Sequence, residues 1–117
     1  MNVDKRPLSV TIIAWVYLLM GVAGFAYHLR GLATRHPFRN GEVWIELIFV
    51  IAAVSGAYML RGRNWARWLA ITWMAFHVVV SIFHTFSELA MHSLICAILA
   101  YFLFRAAATR YFHAPGS

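Results

Sequence analysis

Four apolar stretches, Leu8 to Leu29, Val43 to Leu60, about Trp65 to His84 and about Phe86 to Ala108, take up most of this 117-residue chain. Each comes close to the ~20 residues a helix needs to cross the hydrocarbon core of a bilayer. The alternatives are few. A chain this short leaves a large share of its surface in water when it folds as a soluble globule. Yet 62% of these residues are hydrophobic and only 12% charged, where soluble domains carry roughly a quarter charged residues. Lipid is the solvent that accommodates the excess. The expected fold class is all-α: an integral membrane bundle of four transmembrane helices, up-down-up-down, forming a single transmembrane domain.

The first two boundaries are written in turn chemistry. Pro7 suits a first helical position. Arg30, Gly31, Arg35, Pro37, Arg39, Asn40 and Gly41 make a polar loop, and Arg61-Gly62-Arg63-Asn64 a tight basic turn. The third boundary has no such mark, because neither Gly nor Pro occurs between Arg63 and Pro115. One unbroken helix there would be about 70 Å long, more than twice the hydrocarbon thickness. A turn at His84-Thr85-Phe86-Ser87-Glu88 resolves this, since Thr85 and Glu88 have the spacing of a capping box. Lys5-Arg6 before an apolar run has the outline of a signal peptide. The run is longer than a signal core, however, and Gly21-Val22-Ala23 is a poor cleavage site, so the first helix is expected to be retained.

Orientation follows from the basic residues. With the N-terminus inside, the inner segments carry Lys5, Arg6, Arg61, Arg63, Arg67, Arg105 and Arg110, and the outer ones Arg30, Arg35 and Arg39. Seven against three favours N-in and C-in. Arg61, Arg63, Trp65, Arg67 and Trp68 read as an anchor at the inner interface, with docking of a cytoplasmic partner as the other reading. The net charge of +6 sits at the ends of apolar runs, facing headgroups, so nucleic acid is not an expected partner. A single cysteine, Cys96, excludes an internal disulfide and reads as a packing residue.

The ionisable residues inside these helices are the candidates for function: His28, Glu46, His77, His84, Glu88 and His92. All six fall in the outer half. His77 lies seven residues before His84, and His92 seven after Thr85, so both should lie roughly 10 Å below the outer turn. Small residues share their faces: Tyr17, Gly21, Gly24 and His28 on helix 1; Glu46, Ala53 and Gly56 on helix 2; Ala66, Ala70, His77 and His84 on helix 3; Glu88, His92 and Cys96 on helix 4. Small residues mark faces where membrane helices approach, which points the cluster into the bundle. Imidazole and carboxylate without thiolate suit Zn, Fe, Mn or Cu, with Glu46, His77 and His92 as the candidate ligands. A haem between His77 and His92, a quinone headgroup pocket and a proton relay use the same residue types. The plainer reading is that His28, His84 and Glu88 meet interfacial water, that Glu88 merely caps, and that a Glu–His bond pins the helices.

Arg6-Pro7-Leu8-Ser9-Val10-Thr11-Ile12 and Leu60-Arg61-Gly62-Arg63-Asn64-Trp65-Ala66-Arg67-Trp68-Leu69 resemble the corresponding segments of small bacterial four-helix membrane proteins. The resemblance implies a membrane fold over most of the chain, in the inner (plasma) membrane of a bacterium, and carries no activity. Better-known four-helix families fit poorly. The first helix lacks the carboxylate of small multidrug exporters, and the cysteine pairs of quinone-coupled thiol oxidoreductases are absent. Glu46 also stands without the rest of the Glu/Arg/Asn signature of the membrane eicosanoid and glutathione enzymes. No catalytic nucleophile, phosphate loop or oriented base is visible, which argues against an isolated enzyme. Two expectations remain: a bundle holding a metal, haem or quinone near its outer face, or an accessory subunit. The latter would be a homo-oligomer or part of a larger membrane complex, its cluster being interhelical hydrogen bonds.

Overall fold

The computed structural model describes residues 6–34 and 40–113, the side chains of 31–34 and 40–43 excepted. Lys5, Arg35, Pro37 and Arg39, which entered the charge count or the first loop above, lie outside the described residues, as does Pro115. Among the described residues the chain forms five helices and no strand: α1 (Leu8–Thr34), α2 (Asn40–Leu60), α3 (Asn64–Ser81), α4 (Phe86–Phe104) and α5 (Ala106–Phe112). α1 packs along α2, α2 on α3 and α3 on α4, whereas α1 and α4 touch only sparsely. The bundle is therefore open along one seam.

The α1–α2 contact is the closest, and glycine makes it possible. A Cβ at Gly21 would overlap the Ala53 backbone and lie 2.6 Å from the Phe49 carbonyl oxygen. One at Gly56 would overlap the Ala14 carbonyl and the Leu18 backbone. Each helix thus sets a glycine against the main chain of the other, the small-residue packing that brings membrane helices together.

The α2–α3 turn is a Schellman motif. Gly62 takes the left-handed φ of +77°, its N–H bonds the Met59 carbonyl, and the Arg63 N–H bonds the Tyr58 carbonyl. This is the glycine-stopped helix end that satisfies orphan carbonyls. Two distant residues finish the job. Arg6 Nη1 donates to the Leu60 carbonyl at 2.7 Å, and the Tyr111 hydroxyl donates to the Met59 and Leu60 carbonyls, each at 2.9 Å. A cation and a hydroxyl at the negative end of a helix are both favourable there. The residue following Pro7, Leu8, opens α1, and Arg6 Nε also holds Thr11 Oγ1 at 2.8 Å.

α3 buries Ala66, Arg67, Ala70, Met74 and Ser81, a stripe at helical spacing. It ends at Ser81, three residues earlier than the sequence reading placed it, because the next N–H groups, from Ile82 to His84, bond carbonyls three residues back and tighten the chain. Thr85 then caps α4: its hydroxyl accepts the Glu88 N–H at 3.1 Å. The reciprocal half of a capping box is missing, since the Glu88 carboxylate turns instead to His84, with Oε2 and Nδ1 3.0 Å apart. The fourth helix also departs from expectation. It does not run unbroken to Ala108 but breaks at Arg105, whose extended ψ of 167° separates α4 from α5. The Thr109 hydroxyl bonds back to the Phe104 carbonyl at 3.1 Å, supplying a partner that continuing helix would otherwise have provided.

α1, over Leu8–Arg30, and α4, over Phe86–Phe104, are long and apolar enough to cross a membrane, and α2 holds a shorter apolar run at Trp44–Leu60. Little of the two long segments is buried inside the fold, 22% of the first and 11% of the second. Phe83 and Phe86 at the α3–α4 turn are 81% and 84% exposed, and large side chains such as Leu19, Val79, Leu94 and Ile98 stand open along the helices.

Candidate functional site

The open seam leads into a cleft of about 500 Å³ reached by all four long helices. Ile12, Val16, Tyr17 and Met20 come from α1, Ile48 and Phe49 from α2, Trp73, Met74 and His77 from α3, and His92, Ile95 and Leu99 from α4. Its wall is apolar apart from the two imidazoles and the polar tips of Tyr17 and Trp73, and both of these are bonded. The Tyr17 hydroxyl donates to the Ala70 carbonyl at 2.8 Å, and Trp73 Nε1 donates to the Ile48 carbonyl at 2.9 Å. These two bonds tie α1 and α2 across to α3, and the two rings pack with centroids 5.3 Å apart. An apolar concavity with a few placed polar groups is the usual form of a small-molecule site.

His77 and His92 come together here, their ring centroids 6.0 Å apart. His77 is held by its own helix: Nδ1 lies 2.8 Å from the Trp73 carbonyl, and the ring lies against the Trp73 indole with centroids 4.1 Å apart. Ser81 joins the two histidines. Its hydroxyl lies 2.7 Å from the His77 carbonyl and 2.6 Å from His92 Nδ1, so one side chain links α3 to the deep imidazole of α4.

The other sequence candidates lie elsewhere. Glu46 is buried at 8% exposure, and among the described residues neither carboxylate oxygen has a hydrogen-bond partner. It is not part of the cleft wall. Among the described residues no three His, Cys, Asp or Glu side chains are close enough to hold a metal ion, so the grouping of Glu46 with His77 and His92 as one ligand set is not what the fold assembles. Residue count sets depth along each helix but not which neighbour Glu46 meets. His28 packs its ring on Phe49, with centroids 5.4 Å apart. His84 and Glu88 form an exposed pair at the turn, their side chains 54% and 44% accessible. Cys96, one helical turn from His92, borders a different shallow groove with Ala75, Val78 and Ser93.

At the opposite end, Arg61, Arg63, Trp65 and Trp68 are exposed as interface anchors would be. Arg67 is not. It is only 4% exposed, and its guanidinium donates from Nη1 to the Leu103 carbonyl at 3.0 Å and to Thr109 Oγ1 at 3.1 Å. Nη2 lies 3.1 Å from His113 Nε2, and the cation sits over the Phe104 and Phe112 rings. It belongs to the interior because α5 folds back over it.

Sequence reasoning passed over Ser81 and Trp73. Both signals were present, one turn to either side of His77: a hydroxyl at i+4 and an indole at i−4, positions that share a helix face. No protein family, curated protein or solved structure matches the chain, so the site is read from its own geometry.

Proposed function

We propose that the chain is an integral membrane bundle whose four long helices cross the bilayer N-in and C-in. Between them it binds a lipid-soluble small molecule with a polar head, seated at His77 and His92. The observation that carries this reading is the cleft itself, apolar over its wall and polar at one pair of imidazoles. The membrane setting is supported by the outward-facing Leu, Ile, Val and Phe of helices that bury little of themselves. Exposed apolar area on that scale is an interaction surface rather than a water-facing one. Intramembrane ionisable residues are functional candidates by default, and a site open at the α1–α4 seam admits a ligand directly from the bilayer.

A metal ion held by side chains alone is the weaker occupant, because the cleft supplies two imidazoles and no third ligand. The accessory-subunit reading draws on one specific contact, the Ser81–His92 hydrogen bond, which pins α3 to α4 whatever else the cleft does. In that reading the exposed helix faces would meet a second copy or a larger complex.

The topology has a direct test. In a cell or sealed vesicle, a cysteine replacing Ser87 should react with an impermeant maleimide from outside, and one replacing Asn64 should not; the reverse pattern would overturn the orientation. The site is tested by extraction. Protein purified from its host membrane should yield an apolar small molecule on organic extraction, and an Ile95→Trp variant that fills the cleft should yield several-fold less. Equal yields of every extracted species from the two proteins would overturn the ligand reading in favour of the accessory one. Soret absorbance or stoichiometric metal lost in His77→Phe would replace it with the cofactor reading.

A further inference from the structure

The protonation pattern of the cleft restricts its ligand further. A carbonyl oxygen only accepts, so the His77 Nδ1 that lies 2.8 Å from the Trp73 carbonyl must carry the ring proton. Ser81 has a single hydroxyl proton, and the His77 carbonyl at 2.7 Å requires it. The Ser81 oxygen is then an acceptor toward His92, and His92 Nδ1, 2.6 Å away, must donate. Both rings therefore hold a proton at Nδ1. An imidazolium on either ring, in a wall that includes no carboxylate, would be an unpaired charge in an apolar setting, and on both rings a pair of like charges with centroids 6.0 Å apart. Neutral rings remain, each with a lone pair at Nε2, and among the described residues neither Nε2 has a partner.

The rest of the wall has no donor to spare. The Tyr17 hydroxyl is spent on Ala70 and the Trp73 indole N–H on Ile48. The other wall residues are aliphatic, aromatic or thioether side chains. The cleft thus presents two acceptors and no free donor. A head that only accepts, such as a quinone, ketone or ester carbonyl, would leave its oxygens and both Nε2 atoms unsatisfied, whereas a head bearing hydroxyls would satisfy them. Sites that hydrogen-bond a hydroxyl discriminate strongly against analogues lacking it.

Resting on the reading of this cleft as a ligand site, we infer that it selects a membrane-soluble dihydroxy aromatic, the quinol form, over the corresponding quinone. His77 Nε2 and His92 Nε2 accept the two hydroxyls, the aromatic head lies beside Trp73 and Phe49, and any alkyl tail leaves by the α1–α4 seam.

The experiment uses the full chain in lipid nanodiscs under anaerobic conditions, titrated separately with a decyl-chain benzoquinol and its benzoquinone. Binding is read by equilibrium partition and by the ¹⁵N resonances of His77 and His92. The quinol should bind at least about tenfold more tightly, as one or two satisfied hydrogen bonds imply, and both Nε2 resonances should shift toward the hydrogen-bonded position. His77→Phe and His92→Phe should each bring the two affinities together. In the unliganded protein both rings should show the Nδ1–H tautomer, a measurement that depends on no variant. Equal binding, or tighter binding of the quinone, would overturn the selectivity while leaving the cleft a ligand site. An Nε2–H tautomer on either ring would overturn it by a separate route. Binding of neither compound would overturn this inference, while the ligand reading beneath it is decided separately by the extraction from the host membrane.

Discussion

Replacing Gly56 with leucine should separate α1 from α2 and destabilise the bundle by at least ~3 kcal/mol, beyond the usual cost of overpacking a side-chain core. The reason lies in what the new side chain would strike. At Gly56 the obstruction is the main chain of α1 at Ala14 and Leu18, and at Gly21 it is the main chain of α2 at Phe49 and Ala53. Neither can move without the whole helix moving. Gly24 is the internal control, because the three atoms nearest a Cβ there all belong to the Phe49 ring, a side chain that can shift where a helix backbone cannot. Unfolding titrations in mixed detergent micelles should rank Gly56→Leu and Gly21→Leu far below the wild type and Gly24→Ala close to it. A Gly56→Leu protein with unchanged stability would show that the two backbones do not make this contact. Gly24→Ala should nonetheless disturb the cleft, since Phe49 forms part of its wall.

Arg67→Ala should release α5. The change leaves the Leu103 carbonyl without its donor, removes one partner of Thr109 and one of His113, and empties the space over the Phe104 and Phe112 rings. Loss of charge-assisted hydrogen bonds at a buried site, with loss of the packed side-chain stem, costs about 3 kcal/mol. Arg67→Lys should recover little of it, because an ammonium cannot reproduce the planar fork that reaches two acceptors and an imidazole while stacking on rings. Limited trypsinolysis reads the outcome directly. Cleavage after Arg105 and Arg110 should be slow in the wild type and faster by at least tenfold in both variants. Unchanged protection would mean that α5 is held by Tyr111 on the α2 terminus and not by Arg67.

The sequence made the local features legible and left most of the long-range ones hidden. The Gly62 stop, the Thr85 cap and the small-residue faces of Gly21 and Gly56 are short-range chemistry, and each is where its residue type demands it. His77 and His92 could be matched in depth because a helix converts residue number into length. Arg67 could not be recognised as interior, since its partners lie 36 to 46 residues further along the chain and its neighbours Trp65 and Trp68 point outward. The break at Arg105 carries no glycine or proline, and it depends on a guanidinium and a threonine hydroxyl taking over the Leu103 and Phe104 carbonyls. Glu46 lies in the same outer half as the histidines by residue count but not in their cleft. A periodic pattern gives height and angle on one helix, and the rotation of each helix against its neighbours is set by packing that no single segment encodes.

The sparse contact between α1 and α4 has a consequence for how occupancy would be governed. A molecule entering the proposed site through that seam arrives from the acyl chains and not from the aqueous phase. Saturation would then track its mole fraction in the bilayer, and adding empty lipid at constant total ligand would empty the site by dilution even though nothing in the surrounding water had changed.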